Sequence, residues 1–95
     1  MKIVWSSEAI QDLIFLRAYI EEESPAGARR TVMRILQSVE SLLPDNPHMG
    51  RPGRVPGTRE LVIPRTPYIV PYKLQDETIQ ILRVYHSSRR WPENF

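Results

Sequence analysis

Ninety-five residues, 41% hydrophobic and 25% charged, suffice for one domain with one modest core and are too ordinary in composition for a disordered chain. No cysteine is present, which excludes disulfides and thiolate metal sites and suits a reducing cytoplasm. The net charge of +2 is unevenly spread: residues 1–43 hold five Lys+Arg against six Asp+Glu, residues 44–95 eight against five, so a basic surface for nucleic acid or an acidic partner would lie in the second half. The opening "MKIVWSSEAI" has no long apolar run, so neither a signal peptide nor a membrane span is expected, and the chain is read as cytoplasmic.

Lys2-Ile3-Val4-Trp5 is short, apolar and β-favouring, and reads as a first strand. Ser6-Ser7-Glu8 supplies a hydroxyl N-cap and an early carboxylate, which start a helix. Ala9, Ile10, Leu13, Ile14, Leu16 and Ile20, with Phe15, Ala18 and Tyr19, give it a stripe so wide that cover on more than one side is expected. Glu21-Glu22-Glu23 ends it against the helix dipole. Ser24-Pro25 starts a second helix, and Ala28, Val32, Ile35, Leu36, Val39, Leu42 and Leu43 recur at helical spacing until Pro44, with Arg29, Arg30, Arg34 and Gln37 opposite. So short a joint folds the two helices into a hairpin.

Residues 44–58, "PDNPHMGRPGRVPGT", hold four of the nine prolines and three of the four glycines, and no regular element is expected there. Arg59–Ile63, Tyr68–Leu74 and Thr78–Tyr85 then read as three strands of an antiparallel meander. Pro71 has no N–H for a ladder, so a bulge or an unpaired N–H is expected near it. The order is β-α-α-β-β-β. It predicts a single α+β domain over residues 1–95, an antiparallel sheet with a helical hairpin packed on one face.

Chemistry-bearing residues gather at the end, in "RVYHSSRRWP". His86 carries an imidazole, the side chain type suited to acid–base work, but a strand-end histidine hydrogen-bonded to backbone is the plainer reading. Arg83 lies among apolar strand residues, so it either faces an open side of the sheet or pairs with a carboxylate such as Glu60. Arg89, Arg90 and Trp91 combine charge with a stacking surface for a target or partner, while Pro92 marks Trp91 as an anchor where the tail ends. Arg51, Arg54 and Arg59 would make a phosphate-binding edge or merely a solvated loop. His48 has no second ligand near it, so no metal is expected. Ser87 and Ser88 lack an acid to orient a histidine, which excludes serine-hydrolase chemistry. Trp5, Phe15 and Tyr19 either complete the core or line an apolar groove for a partner helix.

Three stretches in this order, "VWSSEAIQDLIFLRAYI", "GTRELVI…PYIVPYKL" and "ILRVYHSSRRWP", cover nearly the whole chain and together resemble the RelE/ParE toxins of bacterial type II toxin–antitoxin systems. The resemblance implies a small cytoplasmic toxin without cofactor, silenced in a hetero-oligomer by a cognate antitoxin that wraps it. RelE-like members cut mRNA on the ribosome, and on that branch His86, Arg83 and Tyr68 would be the catalytic candidates. The RelE pattern commonly has an arginine after the tyrosine; here Ile69 follows Tyr68, and Lys2 and Lys73 are the only lysines. "ILRV" leading into "HSSRRWP", and "GTREL…PY", look more like the ParE branch. That likeness implies inhibition of DNA gyrase, replication arrest and plasmid stabilisation. On it Arg59, Arg83, Arg89, Arg90 and Trp91 are candidate target or partner contacts, and Trp5, Phe15 and Tyr19 the antitoxin groove. A toxin fold that has lost its activity and only binds antitoxin is the remaining expectation.

Overall fold

The computed structural model describes all residues from Met1 to Phe95. Its elements are β1 (Lys2–Trp5), α1 (Ser7–Glu21), α2 (Pro25–Leu42), β2 (Arg51–Pro52), β3 (Arg59–Val62), β4 (Tyr68–Gln75), β5 (Thr78–Ile81) and β6 (Tyr85–His86). Both helices begin as their caps dictate. Ser6 Oγ accepts from the Ala9 N–H at 3.0 Å, and Ser24 Oγ from the Gly27 N–H at 2.9 Å with Pro25 opening the first turn.

The sheet runs β1-β5-β4-β3-β2, and β6 also pairs with β4. It is mixed rather than wholly antiparallel: β2 to β6 pair antiparallel, but β1 joins β5 in parallel, Ile3 opposite Ile79 and Trp5 opposite Ile81. The start of α1 fixes this direction. The Ser6 N–H donates to the Ile81 carbonyl at 3.0 Å and its hydroxyl to the Leu82 carbonyl at 2.8 Å, so the exit of β1 lies beside the exit of β5.

The helices cover one sheet face. Ala9, Leu16, Ile35, Val39 and Leu43 meet Leu61, Ile63, Val70, Tyr72, Ile79 and Ile81 in one buried cluster. Cover of α1 on more than one side is not found: Ile10, Ile14, Phe15 and Tyr19 stay exposed, because only the flank carrying Ala9 and Leu16 meets α2 and the sheet. The opposite sheet face is also closed. Glu60, Ile69, Pro71 and Tyr85 lie there, buried under the loop before β3, with Val55 inside, and under the C-terminal tail.

The third strand of the meander is broken. Ile81 faces Tyr72 and Tyr85 faces Ile69, so four steps along one strand match three along β4, a β-bulge at Leu82–Val84. The bulge expected near Pro71 therefore falls on the neighbouring strand, where the Leu82 N–H donates to the Pro71 carbonyl at 3.0 Å.

Residues 44–58 are not without regular structure, because Arg51–Pro52 forms β2 against Arg59–Glu60. The Glu60 carboxylate, only 1% exposed, organises the loop. Its Oε1 accepts from Arg51 Nε (3.0 Å) and Nη2 (2.9 Å), and its Oε2 from the Arg54 N–H (2.8 Å), with the Arg54 side chain at 3.6 Å. Glu60 is thus the partner of Arg51 and Arg54, and not of Arg83. Tyr72 fastens the other end: its hydroxyl donates to the Pro47 carbonyl (2.8 Å) and accepts from the Gly50 N–H (2.9 Å). A Cβ on Gly50 would stand 2.6 Å from that hydroxyl, so only glycine fits.

Replacing both Arg51 and Arg54 by alanine leaves Glu60 charged and buried with no countercharge and only the backbone N–H of residue 54 as donor. The double variant is expected to lose about 3–5 kcal/mol, read from its denaturant midpoint, whereas Glu60→Gln, which keeps an acceptor for the Arg54 N–H, is expected to lose less.

Candidate partner-binding surfaces

The bulge aims Arg83 at α1. Its Nε and Nη2 donate to Asp12 Oδ2 (2.8 Å) and Oδ1 (3.0 Å), and the Val84 N–H reaches Asp12 Oδ2 at 2.9 Å. This fork-on-carboxylate pairing, with the hydrogen bond to Asp12 as the main cause, holds the Arg83 pKa above its ordinary value. The guanidinium is charged and already matched. Sequence reasoning missed Asp12, although a single carboxylate among the inward positions of an apolar helix is a signal that it has a fixed partner.

Tyr68 and His86 face each other across β4 and β6, their rings edge-to-face at 5.5 Å. His86 Nδ1 lies 3.1 Å from the Ser88 nitrogen, whose N–H donates to it, and 2.8 Å from Ser88 Oγ. Burial pushes the Tyr68 phenol above its ordinary value, with a smaller push from Tyr19. Tyr68 is therefore a neutral donor at neutral pH. Arg83, the third of the catalytic candidates, is turned to Asp12. The cation that shares a groove with Tyr68 and His86 is Arg89.

That groove, about 640 Å³, runs between α1 and the start of β4. Phe15 and Tyr19, 73% and 70% exposed, form its helical wall, with Ile20 deeper and Glu22 and Glu23 on the rim. Trp5 is not beside them. It packs against the core and its indole N–H donates to Glu40 Oε1 at 2.9 Å.

Of the remaining candidates, Arg59 is on the helix-covered face, opposite Tyr72, and the others are at the other sheet face. Arg59 serves the loop, donating to the Gly50 and His48 carbonyls at 2.9 and 3.1 Å. Trp91 lies under Arg54, 4.0 Å from guanidinium carbon to ring centre, and edge-on to Tyr85 at 5.0 Å. Arg83 and Arg89 both stand over the Tyr85 ring, at 4.7 and 4.6 Å. Arg90 is exposed. No group of three or more His, Cys, Asp or Glu is placed to hold a metal ion. No helix is long and apolar enough to cross a membrane.

Solved structures of toxin–antitoxin systems match this helical hairpin on one face of a mixed sheet. The chromosomal ParDE system of P. aeruginosa aligns with TM-score 0.80 and 33% identity over 90% of this chain and 95% of that one. The RelBE2 toxin–antitoxin complex of Mycobacterium tuberculosis aligns with TM-score 0.63 and 26% identity over the same shares. The family model described as the ParE toxin of the type II toxin–antitoxin system parDE matches residues 3–91, and the chain belongs to that family. Among its relatives, Y4kP of Sinorhizobium fredii, a candidate toxin by its name, is 41% identical over 97% of this chain and 94% of its own length. Toxin RelE2 of Caulobacter vibrioides is 32% identical over 93% and 97%.

The raised phenol has a consequence at high pH. Tyr72 is also pushed up by burial, partly offset by the Gly50 N–H and Arg59. Folding favours both neutral phenols, so their stabilising share is complete below the ordinary value of 10.0 and is lost as pH climbs through the raised native values. Phenolate absorbance should lose a late-ionising component in Tyr68→Phe. The fall in denaturant midpoint at high pH should shrink in the same variant. Loss of a component at the ordinary tyrosine value instead would contradict this.

Proposed function

We propose that this toxin is a ParE-like inhibitor of DNA gyrase that arrests replication and growth in the cytoplasm and is neutralised by a cognate antitoxin. The observation that carries this reading is the Asp12–Arg83 clamp. RNA cleavage through the RNA's own 2′-hydroxyl needs a proton acceptor, a cation for the phosphate and a proton donor together. Arg83 is matched by Asp12 and so adds no free charge beside Tyr68 and His86. Ile69, where RelE-like chains commonly have arginine, is buried. The match to the ParE family model over residues 3–91 points the same way.

One observation favours a second reading. Tyr68, His86 and Arg89 share the groove under α1, and a relative carries the name RelE2. These are the elements of a ribosome-dependent mRNA endonuclease with Arg89 in the place expected for Arg83. Inducible expression without antitoxin, with DNA, RNA and protein synthesis followed separately by pulse labelling, distinguishes the two. DNA synthesis failing first is expected, and His86→Ala should then leave the arrest intact. Protein synthesis failing first, with the arrest abolished by His86→Ala, would replace the gyrase reading. No arrest at all would leave a toxin fold that only binds its antitoxin.

The antitoxin segment is assigned to the exposed flank of α1. Ile10, Ile14, Phe15 and Tyr19 leave an apolar strip uncovered, as a helix-in-groove partner requires, and the P. aeruginosa and M. tuberculosis matches are toxin–antitoxin systems. Phe15→Asp and Tyr19→Asp are each expected to weaken antitoxin binding by roughly thirtyfold or more, about 2 kcal/mol for an aromatic anchor, with the thermal midpoint of the free toxin little changed. Binding by calorimetry and melting by circular dichroism check both halves.

A further inference from the structure

The tail is attached in an unusual way. The last backbone hydrogen bond holding it runs from the Arg89 N–H to the His86 carbonyl at 2.9 Å, and no hydrogen bond joins Arg90–Phe95 to the rest of the chain. Rings and guanidinium groups hold it instead: Arg54 on Trp91, Trp91 edge-on to Tyr85, Arg83 and Arg89 over Tyr85, and Phe95 stacked on Tyr85 at 6.2 Å. Between this tail and the start of α1 lies a cleft of about 650 Å³, lined in part by Ser6, Arg83, Arg89, Arg90, Trp91 and Asn94.

The cleft holds more donors than acceptors. The chain's four ion pairs join Arg17 to Glu21, Arg51 and Arg54 to Glu60, and Arg83 to Asp12, which leaves Arg89 and Arg90 without a carboxylate. Glu8 is the one acidic side chain on the lining. The Trp91 indole N–H is buried and has no acceptor, in contrast to the Trp5 indole, which has Glu40. That burial keeps the indole N–H out of a ligand's reach, so Trp91 flanks the cleft with its ring and the free donors are those of Arg89 and Arg90. Two kinds of ligand suit unmatched arginines beside aromatic rings, nucleic acid and carboxylate. Stacked bases need open ring faces, and few are on offer: Arg54 covers one face of Trp91, while Tyr85 is 2% exposed beneath Arg83 and Arg89. A carboxylate needs only the donors.

We infer that this cleft is the seat for an acidic segment of a partner protein, whose carboxylates pair with Arg89 and Arg90 beside the Trp91 ring. The seat is separate from the apolar strip of α1, and it does not depend on whether gyrase or the ribosome is the target.

The two tryptophans supply their own control. Each gives one indole N–H cross-peak in a ¹H–¹⁵N spectrum of the purified chain, assigned with Trp91→Phe. The probes are a short Glu/Asp peptide with blocked termini, its Gln/Asn counterpart and a single-stranded DNA of matching charge. With the acidic peptide the Trp91 peak is expected to move saturably while the Trp5 peak stays still, and the Gln/Asn peptide should do neither. Arg90→Ala, which removes an exposed side chain, and Arg89→Ala should each weaken binding roughly tenfold or more, the effect of losing a charge-assisted hydrogen bond. No saturable shift, an equal response to the Gln/Asn peptide, or unchanged affinity in Arg90→Ala would overturn the inference. Tighter binding of the oligonucleotide would also overturn it and make the cleft a nucleic-acid site.

Discussion

Asp12 accepts three hydrogen bonds from the β-bulge opposite Pro71, two from Arg83 and one from the Val84 N–H, and Ser6 adds a fourth link between α1 and this segment through the Leu82 carbonyl. The bulge frees backbone groups from the ladder, and these side chains satisfy them. Much else follows from that arrangement. The extra residue turns Arg83 toward the helix and returns Tyr85 and His86 to register with Ile69 and Tyr68, which brings His86 to the groove beneath α1. The same clamp sets the position of α1, and with it the outward display of Phe15 and Tyr19.

The two faces of the sheet are closed by different physics. Helices bury aliphatic side chains on one, and apolar area removed from water is the main driving force there. On the other there is no third helix, and a proline-rich loop and a short tail do the covering. Neither has enough apolar surface to hold itself down. Glu60 supplies a buried charge for the loop, and arginines lying on aromatic rings supply the tail, each such contact contributing about 0.5–2 kcal/mol. Most arginines of the basic half are therefore part of the structure. Arg51, Arg54, Arg59 and Arg83 each have a fixed internal partner, which leaves Arg65, Arg89 and Arg90 as the arginines of that half open to another molecule.

This division of labour gives the toxin two surfaces of different character. The apolar strip on α1 and the donor-rich cleft at the tail use different chemistry, one non-directional and the other directional. They meet near Arg89, which lines both the groove beside α1 and the cleft. An occupant of one site therefore touches a residue of the other.

The sequence by itself determined the element order, both helix starts and the helical hairpin, because these rest on local rules: Ser6 and Ser24 as caps, Pro25 in a first turn, apolar residues at helical spacing up to Leu43. It also carried the family, through three stretches spread over nearly the whole chain, and the prospect of a bulge, through the missing N–H of Pro71. Only the tertiary structure decided the parallel entry of β1, the strand β2 inside a loop that reads as irregular, the open flank of α1 and the true partners of Glu60 and Arg83. Arg83 and Asp12 are 71 positions apart, and no periodicity links them. A charge finds its partner through the fold's geometry rather than its neighbours in the chain, and the width of an apolar stripe does not reveal whether this chain or another molecule covers it.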